Sequence, residues 1–173
     1  MDVRERVPMR RRGMRTILVT VLLAASAVAT TAVSTTSAGA GEASLASVRQ
    51  ATAAYHSVPA AELANYEPKL SCFSSSAGGM GQHLLNGELM DASLDAEHPE
   101  ALVYEVKDNK LQLVAVEYIV PMTAWTAHVP PTVLGHDLHM LPSLGLWVLH
   151  AWVWRPNPAG MFADYNPSVP PCP

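Results

Sequence analysis

Apolar positions follow three different patterns along the chain. Residues 16–41 carry no charge, and their apolar heart is Ile17–Ala29 (ILVTVLLAASAVA). At about 13 residues this heart is shorter than the ~20 a spanning helix needs. Small residues follow it, and Ala38-Gly39-Ala40 has the A-x-A form that a signal peptidase accepts. The run therefore reads as an export signal over residues 1–40, with an uncleaved anchor as the alternative. Cleavage would leave residues 41–173 as a single domain with no stable membrane span. From Ser44 the pattern turns helical. Leu45, Val48, Thr52 and Tyr55 share one face, although Thr52 offers that face only a methyl, and Ser44 suits the N-cap. Ser57-Val58-Pro59 restarts a second helix, which Ala60–Tyr66 continues. From residue 101 the pattern is that of strands. Ala101–Lys107 (ALVYEVK) and Leu111–Val120 (LQLVAVEYIV) flank Asp108-Asn109, a hairpin signal, and Pro121 ends the second strand. Leu146–Trp154 (LWVLHAWVW) is apolar on both faces, as a central strand is.

The segments between these elements are punctuated by turn residues. Glu67 to Gly81 reads as loop, with Ser74-Ser75-Ser76 and Gly78, Gly79 and Gly81. Gly78-Gly79-Met80-Gly81 lacks the Lys-Ser/Thr ending of a phosphate loop. Gln82–Asn86 leads out of it, and Gly87–Glu100 is acidic and turn-like. Pro121–Ser143 holds four prolines and reads as a long ordered loop, a place where function often sits. Arg155–Pro173 is an irregular tail with six prolines.

Charge sharpens this division. The formal net charge of −4 over 173 residues is an average of unlike pieces. Residues 1–40 hold six Arg against Asp2 and Glu5, whereas residues 41–173 hold five Lys or Arg against thirteen Asp or Glu. An acidic mature domain argues against a nucleic-acid partner. It leaves a small molecule, a protein or a cation as candidates. The pair Arg11-Arg12 fits the twin-arginine pattern poorly, and the export route stays open.

The mature chain has two cysteines, Cys72 and Cys172. In an exported protein one disulfide is the default, and it would pin the tail to the start of the globular part. The resulting expectation is an α+β domain. Two short N-terminal helices pack on a small, largely antiparallel sheet, a Pro-rich loop crosses it, and one disulfide ties the tail back.

Candidate chemistry comes from polar residues in apolar surroundings. Glu105 lies in Val103-Tyr104-Glu105-Val106, Glu117 in Val116-Glu117-Tyr118-Ile119, and His150 between Leu149 and Ala151. A buried carboxylate is costly unless it is paired or metal-bound. With His83 these residues form a candidate site for a divalent zinc, manganese or iron ion. The hairpin register bears on this. A two-residue turn at Asp108-Asn109 puts Glu105 opposite Gln112 and Glu117 opposite Glu100, with the two carboxylates on opposite faces. A three-residue turn over Lys107–Asn109 would put them on one face. Two further readings stay open. In one, the polar groups merely organise the core of a structural or interaction module. In the other, Glu105 and Glu117 are the acid and base of a secreted hydrolase, with Trp125, Trp147, Trp152 and Trp154 as sugar platforms. His136 and His139 are weaker ligand candidates, and His56, His98 and His128 read as solvent-exposed.

Gly79-Met80-Gly81-x-His83, Val103-Tyr104-Glu105, Val116-Glu117-Tyr118, His150-x-Trp152-x-Trp154 and Asn157-Pro158-x-Gly160-Met161-Phe162 with Asn166-Pro167 together resemble a family of uncharacterised secreted actinobacterial-type proteins. The resemblance spans roughly residues 48–172 and carries no activity with it. More loosely, the order of the first three motifs and a later His-bearing strand is similar to plant oil-body-associated proteins. That similarity implies a shared core with His83, Glu105, Glu117 and a late His in corresponding places.

Overall fold

The computed structural model describes residues 40–172, with side chains from Leu45 onward. Apart from Ala40, the export signal read over residues 1–40 lies outside the described residues. The architecture is α+β with an antiparallel sheet. Helix α1 (Ala40–Thr52) runs through a 3-10 turn (Ala53–His56) into the short α2 (Val58–Leu63). Ser44 thus lies inside α1 rather than at its cap. Pro59 sits in the first turn of α2, where a missing N–H costs nothing.

The main sheet contains β1 (Tyr66–Glu67), β2 (Phe73–Ser75), β3 (Gly78–Asn86), β4 (Ala101–Lys107), β5 (Lys110–Pro121), β8 (His139–Leu141) and β9 (Leu146–Ala151). Its order is β1-β3-β4-β5-β9-β8, and β2 pairs with the opening residues of β3. A separate small hairpin joins β6 (Thr132–Val133) to β7 (His136–Asp137). The Pro-rich stretch 121–143, read as loop, thus contains this hairpin and all of β8.

The glycine-rich stretch is also strand rather than loop, since Gly78 to Gly81 form the first half of β3. The physical reason is close backbone approach. A Cβ on Gly78 would stand 2.3 Å from the Asn166 carbonyl oxygen, and one on Gly79 would stand 2.4 Å from that of Pro170. The tail bonds there, with Gly79 N–H donating to the Val169 carbonyl and Asn166 N–H to that of Gly79. A disulfide joins Cys72 to Cys172 and closes this arrangement.

The β4–β5 hairpin combines both registers considered from the sequence. Asp108 and Asn109 take positive φ of 51° and 55°, as the left-handed positions of a two-residue turn require. Pairs from Lys107↔Lys110 to Tyr104↔Leu113 follow that turn. A bulge then shifts the register by one, so that Val103 faces Ala115 and Ala101 faces Glu117. Val114 is the extra residue, and its carbonyl accepts from Trp154 and Arg155 N–H instead. The bulge returns Glu117 to the face that carries Ala101, Val103 and Glu105.

The two faces bury different things. One packs Leu84, Leu102, Tyr104, Val116, Tyr118 and Leu149 against Val48 of α1 and Ala61 of α2. Thr52 is fully buried there, its hydroxyl donating to the Val48 carbonyl and accepting from Trp154 Nε1. The other face carries two apolar clusters. Val103, Val114, Ala115, Trp152 and the tail residue Val169 form one. Leu85, Ala101, Ile119 and Val148 form the other.

Candidate metal centre

Three long polar side chains lie on that second face. His83 comes from β3, Glu117 from β5 and His150 from β9, where Glu117 and His150 are directly paired. Cross-strand partners sit about 5 Å apart, so side chains on neighbouring strands of one face meet. His83 must also reach over β4, and Ala101, paired on either side with Leu85 and Glu117, offers only a methyl in the way.

The result is a compact donor cluster. His83 Nε2 stands 3.2 Å from His150 Nε2 and 3.3 Å from a Glu117 oxygen. The other Glu117 oxygen is 3.4 Å from His150 Nδ1. One donor atom from each residue lies within 4.8 Å of the others. Donors bound at about 2.0–2.2 Å to one ion stand roughly 3.0–3.6 Å apart. The two contacts of His83 Nε2 fall in this range, whereas the short contact between His150 and Glu117 uses the other ring nitrogen, Nδ1. All three residues are buried, and His83 Nδ1 and His150 Nδ1 have no hydrogen-bond partner among the described residues.

Burial also determines protonation. It pushes the Glu117 carboxyl up to about 8, with Asp164 adding to the effect. It pulls His83 down to about 4. It lowers His150 well below its ordinary value, with His83 adding to the effect. On their own, these groups are neutral near pH 7. A bound dication reverses the balance at Glu117, because it favours the ionised carboxylate and needs the imidazoles neutral.

Glu105 does not join the cluster, so the four-residue site read from the sequence becomes a site of three. Glu105 shares the face, but it stands four residues from Ala101, the partner of Glu117. That is about 13 Å at the rise of a strand. One of its oxygens accepts a 2.8 Å charge-assisted bond from Arg155 Nη1, which explains how a carboxylate is tolerated in the core. The same separation argues against the hydrolase reading. Glycosidase carboxylates stand about 5–9.5 Å apart across one cleft. Here Glu105 and Glu117 line different pockets.

A cavity of about 210 Å³ opens onto the cluster. His83, Glu117 and His150 form its polar floor, and Leu70, Phe73, Ile119 and Val148 are among its apolar walls. Two further titratable residues line it, Asp164 and His139. Asp164 stands 4.0 Å from His150 Nδ1 and 3.4 Å from His139 Nε2. His139 comes from the Pro-rich stretch, as weighed from the sequence, whereas His136 packs on Phe162 instead. Asp164 lies in a tail without periodicity. Its only sequence signal was that Cys172 had to bring this tail back to the body of the domain.

Comparison with protein-family models found no match for the chain, and comparisons with curated proteins and with solved structures found none either. The functional reading therefore rests on the site itself.

Proposed function

We propose that this protein is a small extracytoplasmic binding protein that holds one divalent transition metal through His83, Glu117 and His150. The observation that carries this reading is the convergence of three buried donors from three strands within 4.8 Å. Two imidazoles and one carboxylate are a donor set suited to zinc, manganese or iron(II). The cavity beside them leaves coordination positions for water or a ligand, as functional rather than purely structural metal sites do. Placement outside the cytoplasm is supported by the basic and then apolar first forty residues, read as a cleaved signal. The Cys72–Cys172 disulfide, which an oxidising compartment preserves, supports it too. No helix among the described residues is long and apolar enough to cross a membrane. Residues 41–173 then act as one exported domain.

Elemental analysis of the purified protein tests the reading. About one equivalent of metal is expected in the wild type and in Glu105→Gln, and little in His83→Ala or Glu117→Gln. Equal metal content in all four, or none in any, refutes it. The latter result leaves the cluster as a polar device of the core.

A further inference from the structure

The cavity above the cluster has a size and polarity that select a ligand. A cavity of roughly 150 Å³ holds a benzene molecule. At about 210 Å³ this one has room for a single ring with one or two further heavy atoms, or for an alkyl chain of about six carbons. Most of its lining is apolar, and five of its polar side chains, His83, Glu117, His150, Asp164 and His139, form one chain of contacts. In this group the carboxyl groups of Glu117 and Asp164 flank His150 Nδ1. With Glu117 and the two imidazoles given to a metal, Asp164 is the carboxylate left to accept a proton. The rim is open: Leu144, in the turn between β8 and β9, is 47% exposed, and the His139 side chain is about as exposed, at 48%.

We infer that this cavity binds a small alcohol or phenol of about six to nine heavy atoms, with its hydroxyl at the His83–Glu117–His150 centre and its apolar body along Leu70, Phe73, Ile119 and Val148. The inference rests on the metal reading above. A hydroxyl is the head group that fits because its oxygen lone pair can meet a bound cation while its proton goes to Asp164. An anionic head such as a carboxylate meets the cation equally well, but it has no proton to give and faces two carboxylates. A bare hydrocarbon leaves Asp164 and the open coordination position without a partner.

The test uses the purified protein loaded with cobalt(II), whose visible spectrum reports on its ligands, and 1-alkanols from ethanol to 1-decanol. Affinity is expected to tighten about three- to fourfold per methylene up to about six carbons, then to level off or fall. Phenol is expected to bind, and hexanoate to bind at least tenfold more weakly than 1-hexanol. Leu144→Trp, an exposed position away from the metal donors, is expected to keep its cobalt and to lose the longer alcohols. If cobalt binds and the alcohols do not perturb its spectrum, or affinity ignores chain length, the inference falls while the metal site stands. Hexanoate binding as tightly as 1-hexanol overturns the head-group assignment. If cobalt itself does not bind, the metal reading fails, and the placement of the hydroxyl fails with it.

Discussion

Glu100 shows what burial does to a carboxyl that has no cationic partner among the described residues. It is 1% exposed, and one of its oxygens accepts the Ile119 N–H at 2.9 Å. Desolvation pushes its pKa up to about 8, against the opposing pull of that hydrogen bond. Below about pH 4.5 it is protonated in both the folded and the unfolded chain. Between about 4.5 and 8 only the unfolded chain releases the proton, so stability falls as pH rises through this window and levels off above it. Glu100→Gln keeps an oxygen for Ile119 and removes the titration. Relative to wild type, the variant should therefore gain about 2–4 kcal/mol between pH 4.5 and pH 8. Urea unfolding at the two pH values checks this, and a constant difference between the proteins counts against it. Nothing in the local pattern marks this residue as buried, because it closes a stretch that reads as acidic and turn-like. Glu105, by contrast, was legible as a buried carboxylate but not as the partner of Arg155. That pairing joins residues fifty positions apart, and no local pattern encodes it.

At the scale of elements, the bulge in the β4–β5 hairpin decides the site. Asp108-Asn109 announces a two-residue turn, and the turn forms, yet that register alone would point Glu117, and with it its strand partner His150, away from Glu105 and His83. One extra residue, Val114, reverses its face. Nothing in Leu113-Val114-Ala115 signals a bulge, because any of the three suits a regular strand. Strand β3 makes the opposite point, since its glycines look like loop chemistry until the tail is seen lying against them. Gly79→Ala places a methyl 2.4 Å from the Pro170 carbonyl oxygen and 2.7 Å from Val169 Cγ1. Both atoms belong to backbone or to a buried side chain, so the tail must shift. A loss of roughly 1–3 kcal/mol is expected, as for other overpacked sites. Thermal unfolding checks it, and an unchanged midpoint would show that the tail yields freely.

At the scale of the whole molecule, the disulfide and the tail complete the cavity. Cys72 and Cys172 are 100 residues apart, and the segment they anchor buries Val169 and brings Asp164 and Tyr165 to the pocket. Cross-linking so long a loop stabilises mainly by restricting the unfolded chain, by about 4–5 kcal/mol in the chain-entropy account. The double replacement Cys72→Ser, Cys172→Ser is therefore expected to lose about 3–5 kcal/mol in urea unfolding. A loss below about 1 kcal/mol would mean that the hydrogen bonds between Gly79 and the tail hold the ends together without it.

Local pattern by itself determined the α+β class, the central strands, the hairpin turn, the single disulfide, and the fact that Glu105, Glu117 and His150 occupy apolar stretches. Each follows from side-chain periodicity, turn chemistry or counting, which depend on neighbours in the chain. Tertiary structure alone decided which of these polar residues meet. Convergence depends on strand order, on one unannounced bulge and on an alanine small enough to be reached over. It also brought Asp164 to the site and kept Glu105 away. Contacts of this kind join residues far apart in the chain, and their energy comes from a packed sheet face that exists only once all its strands are in place.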